Sequence, residues 1–240
     1  MGDITSVGRE LHGTRHTSAG GPRKSTRKAQ EREEEIHRAA ARIFHRKGYA
    51  ATSLQDIADE VGILKGSLYY YIDSKEDLLF GITQTIHRLA AQNADRAAAM
   101  GGSCADRLRF LVELHVASFG VHLEMIRVFY TEYGALGPER RAEVMADRRR
   151  YERYSLELIT DGQAAGEFCP DLDARVANNA ILTMVNTVYM WFNGTNGDLE
   201  AIATQYGEMV LGSLRCPADH DHAAVSATDP ARRARRSQGR

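Results

Sequence analysis

Residues 52–79, TSLQDIADEVGILKGSLYYYIDSKEDLL, leave this chain few folds to choose from. Two serines stand three residues ahead of an aspartate, Ser53 before Asp56 and Ser74 before Asp77. At that spacing serine and acid each satisfy a backbone N–H near the other, so each pair marks a helix start. After the first pair, Leu54, Ile57, Ala58 and Val61 fall on one face at helical spacing. Gly62 then permits a left-handed reversal that a Cβ would resist. Residues 65–72 read as a second short helix, anchored inward by Leu68 and Ile72. Its remaining face offers Lys65, Gly66, Ser67, Tyr69, Tyr70 and Tyr71, and three consecutive tyrosines cannot all face inward. A helix-turn-helix over 53–72, whose second helix presents aromatics and a lysine, suits the major groove of DNA.

This segment resembles the DNA-binding domain of the tetracycline-repressor (TetR) family. The resemblance rests on Thr52, on Asp56, Ile57 and Ala58, on Gly62 and Ile63, on Gly66, Leu68 and Tyr69, and on Lys75, Glu76 and Leu78. Leu64 departs from it, standing where a Ser or Thr often caps the recognition helix, which forgoes about 1 kcal/mol. Ile72 replaces the usual Phe, a swap that a core tolerates. The resemblance implies DNA contacts from Thr52, Ser53, Lys65, Gly66, Ser67, Tyr69, Tyr70 and Tyr71. Gly66 would allow close approach to the duplex. Lys75 lies in the first turn of a helix, where the dipole disfavours a cation, and a DNA phosphate would offset that. Lys24, Arg27 and Lys28 form an arm that can reach the minor groove or the backbone.

No strand pattern occurs, so the fold expected is all-α. Helices are expected over about 30–47, 74–100, 103–121, 123–135, 138–164, 172–192 and 198–214, beside the two of the motif. This divides the chain into a disordered basic arm (1–29), a DNA-binding domain (30–90), a ligand-binding and dimerisation domain (91–214) and a disordered tail (215–240). The formal net charge of −1 conceals basic ends, for acids concentrate in the folded part. Cys104, Cys169 and Cys216 show no metal or redox spacing and read as reduced thiols of a cytoplasmic protein. No signal peptide and no run of about 18 apolar residues occurs, so no membrane partner is expected. His220-Asp221-His222 lacks a third ligand, and no catalytic constellation is found. The chain is expected to be no enzyme and to require neither metal nor cofactor.

Two apolar stripes mark the last helices: Ile181, Met184, Val185 and Val188, then Ile202, Tyr206, Met209 and Val210. The family resemblance turns these stripes into a four-helix bundle between two subunits, an isologous homodimer. Two recognition helices one helical turn apart match a palindromic operator. A ligand cavity is expected among Phe110, Leu114, Phe119, Phe129, Tyr130, Tyr133, Tyr154 and Trp191. Residues 131–168 are similar to TetR-like repressors of fatty-acid or steroid breakdown, through Glu132, Leu136, Arg148 to Tyr151, Gly162 and Gly166 to Phe168. That similarity implies an acyl-CoA thioester as effector, its phosphates met by Arg148, Arg149 and Arg150. Met190 and Asn193 stand where some of those repressors carry arginines. The function expected is a ligand-responsive repressor. The alternatives are an activator of the same fold or an architectural DNA-binding protein without a ligand.

Overall fold

The computed structural model describes residues 24–216, and side chains from residue 28 onward. Among the described residues helices and connecting loops make up the chain, with no strand. Helix α1 (Lys24–Lys47) starts earlier than expected. Residues 24–29, read as disordered arm, continue the helix, four of the six (Lys24, Arg27, Lys28 and Ala29) being good helix formers. The rest of the arm, residues 1–23, and the tail from residue 217 lie outside the described residues.

Helix α2 (Leu54–Val61) carries the complete Ser53–Asp56 box and ends at Gly62, whose φ of 73° is left-handed. Helix α3 (Lys65–Leu68) is one turn long, shorter than the 65–72 expected. Leu64 at its N-cap makes no side-chain hydrogen bond, and the chain leaves the helix at Tyr69. Tighter turns finish the segment, with Tyr71 and Ile72 N–H groups both donating to the Leu68 carbonyl. Helix α4 (Lys75–Ala99) has the second complete box, Ser74 with Asp77.

Helix α5 (Cys104–Ala117) is capped twice over. Ser103 and Asp106 close a third box, and the Glu167 carboxylate accepts from the Cys104 and Ala105 N–H groups. Helix α6 (Phe119–Glu132) bends at His122 (φ −120°, ψ 18°) and passes through a 3₁₀ turn, Tyr133–Ala135, into α7 (Pro138–Ala164). The single helix expected over 172–192 is broken at Thr187 into α8 (Ala174–Asn186) and α9 (Val188–Trp191). There the Thr187 hydroxyl donates to the Met184 carbonyl at 3.0 Å, a local bond that competes with the helical ladder. Asp198 caps α10 (Leu199–Ser213), which lies along α5.

Three apolar clusters hold these helices together. The first gathers Ile36, Phe44, Ile57, Leu68, Leu78, Leu79 and Ile82 from α1 to α4 with Met125, Val128 and Phe129 of α6 and Val144 of α7. The helix-turn-helix is thus packed on the C-terminal half through one continuous core. The second joins α5, α7, α8 and α10 through Leu108, Leu111, Leu158, Ile159, Ile181 and Val210. The third sits under α6 and α9, around Val116, Phe119, Ile126, Val188 and Phe192.

Candidate nucleic-acid interface and effector cavity

Leu68 is fully buried and Ile72 nearly so, and these two anchors turn the rest of α3 outward. Tyr70 is 88% exposed, and Tyr69, Tyr71 and Leu64 share its surface. Lys65 and Gly66 are exposed and Ser67 is half-buried beside them. A Cβ at Gly66 would meet no protein atom, so its surroundings are open to a duplex. Lys65, Gly66, Tyr69, Tyr70 and Tyr71 are thus exposed around the buried Leu68, with Ser67 half-buried among them. Lys28 is exposed on α1, and the side chains of Lys24 and Arg27 lie outside the described residues.

Three residues assigned to DNA have other work. Thr52 is buried, and its hydroxyl donates to the Gly48 carbonyl at 2.8 Å. The Ser53 hydroxyl is taken up by its box, donating to Asp56 Oδ2 at 2.8 Å and accepting from the Asp56 N–H. Lys75 Nζ donates to the carbonyls of Tyr49 (2.8 Å), Ala50 (3.3 Å) and Thr52 (2.8 Å), and lies 4.5 Å from the Tyr49 ring centre. An ammonium has three donors and all three are used, so the loop carbonyls offset the helix dipole instead of a phosphate. Lys75 holds the α1–α2 turn in place. Glu60, which receives Arg42 and Arg46 at 2.9 Å each, and Asp56, which receives Lys47 at 2.6 Å, fix α2 against α1. The Lys47 bond, with the Ser53 contacts, holds the Asp56 carboxyl well below the usual carboxylate range.

Between α4 and α7 opens a cleft of about 410 Å³, lined by His87, Ala91, Ala94, Asp95, Ala98, Asp147, Arg150, Tyr151 and Tyr154. His87 and Tyr151 also line a narrower chamber of about 60 Å³, with Ile86, Ala90, His115, Phe129, Tyr130, Arg148, Glu152, Leu182 and Asn186. His115 Nδ1 and the Tyr151 hydroxyl are 3.1 Å apart. Burial pushes the His115 imidazole down to about 4, so it is neutral at pH 7, and pushes the Tyr130 and Tyr151 phenols up. His87 Nε2 and the Tyr154 hydroxyl are buried without a protein partner. Such groups carry a desolvation penalty that a bound polar group can relieve.

Of the residues expected in the cavity, Phe129, Tyr130, Arg148 and Tyr154 line these spaces. Five do not. Phe119 fills the third core cluster and Tyr133 packs on the first, while Phe110 packs on the second beneath the Arg96 guanidinium. Leu114 lines neither space, and Trp191 is exposed on α9. Arg148 is tied to Glu152 at 2.6 Å, leaving Arg150 as the arginine of the wider cleft. The sequence signal for that cleft was the small-residue stripe Ala91, Ala94 and Ala98 on α4, facing the bulky side of α7.

The dimer stripes need a similar revision. Ile181, Val185, Val188 and Val210 are all buried within one subunit, so they are core and not interface. Met184, Ile202 and Tyr206 are half-buried against the same clusters. Met209 is exposed, joined by Val176, Met190 and Trp191, which periodicity did not select.

The cleft and the helix-turn-helix are mechanically joined. Glu76 in the first turn of α4 accepts from the Gly137 N–H at 2.8 Å, at the start of α7. Arg140 of α7 is paired with Asp77 and lies over the Phe80 ring.

Comparison with known proteins accords with this arrangement. The family profile "Bacterial regulatory proteins, tetR family" matches residues 36–82, and "Tetracyclin repressor-like, C-terminal domain" matches residues 101–214. The HTH-type transcriptional repressor KstR2 of Mycobacterium tuberculosis is 30% identical over 187 residues, covering 75% of this chain and 91% of KstR2. The chain belongs to the TetR family. Among solved TetR structures, PfmR from Thermus thermophilus is 28% identical with a TM-score of 0.70, over 75% of this chain and 99% of PfmR. AibR, solved with isovaleryl coenzyme A and operator DNA, is 26% identical with a TM-score of 0.66, over 78% of this chain and 99% of AibR. This TetR-family chain has, among its described residues, no helix long and apolar enough to cross a membrane and no cluster of three potential metal ligands.

Proposed function

We propose that this protein is a homodimeric, cytoplasmic TetR-family repressor that binds a palindromic operator and leaves it when a small effector occupies the α4–α7 cleft. The observation that carries the reading is the outward face of α3. Buried Leu68 anchors a turn around which Lys65, Tyr69, Tyr70 and Tyr71 are exposed, with Ser67 half-buried among them. One such turn reads few base pairs, so a second copy supplies the other half-site. Met190 and Trp191, exposed on α9, and Met209, exposed on α10, are the apolar side chains a partner subunit would cover. Residues 30–90 act as the reading head and 91–214 as the sensor.

An acyl-CoA thioester is the effector class we favour. Along α4 the cleft is lined by Ala91, Ala94 and Ala98 with His87 and Asp95 among them, and at α7 it carries Arg150 beside Asp147; His87 Nε2 and the Tyr154 hydroxyl have no protein partner and can meet a polar group. AibR, a relative of the same fold, binds isovaleryl coenzyme A. An effector that prefers one α4–α7 geometry changes DNA affinity by its differential affinity for the two states. The test is selection of bound sequences from random duplex DNA, with and without a panel of acyl-CoA thioesters. An enriched palindrome lost on addition of one thioester is the expected result. A palindrome indifferent to all of them removes the effector class, and no enrichment removes the repressor.

A further inference from the structure

A separate cavity of about 180 Å³ lies between α1, α4 and α6, where the DNA-binding half meets the C-terminal half. Its walls hold four basic side chains from three helices: His37 and Arg38 of α1, Arg88 of α4 and His122 of α6. One carboxylate, Glu34, shares the wall, and it is already taken up by Arg38 at 3.0 Å. His37 is only 9% exposed. The backbone of α4 lies open to it because residue 81 is glycine, where a Cβ would collide with the imidazole. Among the described residues, the side chains of His37, Arg88 and His122 have no hydrogen-bond or ion-pair partner. A buried imidazole left that way carries a desolvation cost that a bound group can relieve. Two imidazoles near a carboxylate suggest a metal, but no group of three such ligands occurs among the described residues. The unpaired permanent charge on the wall is therefore the Arg88 guanidinium, and the free ring nitrogens can donate beside it.

We propose that this cavity binds one small tetrahedral oxyanion, a phosphate or sulfate group, with Arg88 as its charge partner and His37 and His122 as hydrogen-bond donors. A guanidinium presents a planar fork that suits oxyanion oxygens, and charge-assisted bonds are the stronger kind. The site is distinct from the α4–α7 cleft, of which His37, Arg38 and His122 form no part. It does not rest on the effector proposed for that cleft.

Protons belong to the same site. Burial, the largest influence on both imidazoles, holds them below their ordinary range. His37 also faces Glu33 and Glu34 of its own helix, which oppose the lowering, and Arg88 of α4, which adds to it. His122 faces Arg38, which adds to the lowering, and Glu34, which opposes it. An oxyanion between the rings favours their protonated forms, so binding takes up protons. Affinity then rises as pH falls, by up to about tenfold per pH unit for each proton taken up.

The experiment is calorimetric titration of the full chain with sodium sulfate at pH 8, 7 and 6, with ionic strength held constant by chloride. Sulfate keeps its charge over that range, so the slope reports protons taken up by the protein. The expected result is one saturable site per chain, tighter at each lower pH. Arg88→Gln should weaken it by at least about tenfold. Arg88 also borders the outer end of the α4–α7 cleft, so His122→Gln is the variant particular to this cavity. It should weaken binding and flatten the pH slope. Arg153→Gln, at an exposed arginine of α7 outside both cavities, should change neither. Inorganic phosphate against glycerol phosphate at pH 7 tells the source: tighter binding of the ester assigns a phosphorylated metabolite, tighter binding of the bare ion a free anion. No saturable site, a site indifferent to both Arg88→Gln and His122→Gln, or an affinity that does not rise toward pH 6 would each overturn the proposal. The first and last of these use the unsubstituted chain, so they stand even where a variant folds poorly.

Discussion

Lys75 shows how a single side chain's surroundings reverse the meaning of its position. Its place in a first helical turn points to an anion, and the anion-like partners turn out to be three carbonyls of the Tyr49–Thr52 loop. Lys75→Ala should lower stability by roughly 2 kcal/mol, as hydrogen bonds to a charged group are lost. Thermal unfolding would show this, with the salt dependence of DNA binding unchanged. A salt slope smaller by about one would restore the phosphate contact. Tyr70 is the opposite case, 88% exposed and touching little of its own protein. Tyr70→Ala should leave unfolding unaltered and weaken operator binding by roughly 1–3 kcal/mol, with relaxed preference at particular base pairs. Equal loss on every sequence would make Tyr70 a backbone contact.

At the level of elements, glycine packing gives a further test. A Cβ at Gly162, in the last turns of α7, would overlap the Phe168 ring and press on Cys104 Cβ of α5. Gly162→Ala should therefore destabilise the protein by roughly 1–3 kcal/mol through overpacking, read as a lowered midpoint in denaturant. An unchanged midpoint would mean the Phe168 ring yields freely. The helix starts were legible because caps are local: Ser53, Ser74 and Ser103 each lie within a turn of the N–H groups they satisfy. The break at Thr187 was not, because the apolar pattern runs through it while the backbone there departs from helical geometry (φ −83°, ψ 0°). Periodicity also told which face of α8 and α10 is apolar without telling what covers it. Ile181, Val185, Val188 and Val210 proved to face their own subunit. For the cavity, aromatic side chains drew attention where the alanines of α4 made the space.

For the molecule as a whole, the enclosed histidines make stability depend on pH. His115 titrates near 4 when folded and near 6.5 when exposed. Above pH 6.5 both states are neutral there. As pH falls through the window from 6.5 to 4, the unfolded chain takes up a proton that the folded chain refuses, so stability declines. The loss should reach roughly 2 kcal/mol by pH 5, with His87 and His37 acting in the same direction. Urea unfolding at pH 7 and pH 5 measures it, and His115→Asn should shrink the difference. Equal stability at both pH values would show that folded His115 accepts the proton readily. The shared first core has a practical bearing on anyone building hybrid regulators. Ile57, Leu68 and Leu79 lean on Met125, Val128, Phe129 and Val144, which lie far along the chain. A reading head cut out after α4 and grafted onto a foreign sensor would arrive with its underside bare. The transplant should take only where the recipient's own α6 and α7 offer matching side chains, so compatibility is decided at that hidden seam and not by the surface that meets DNA.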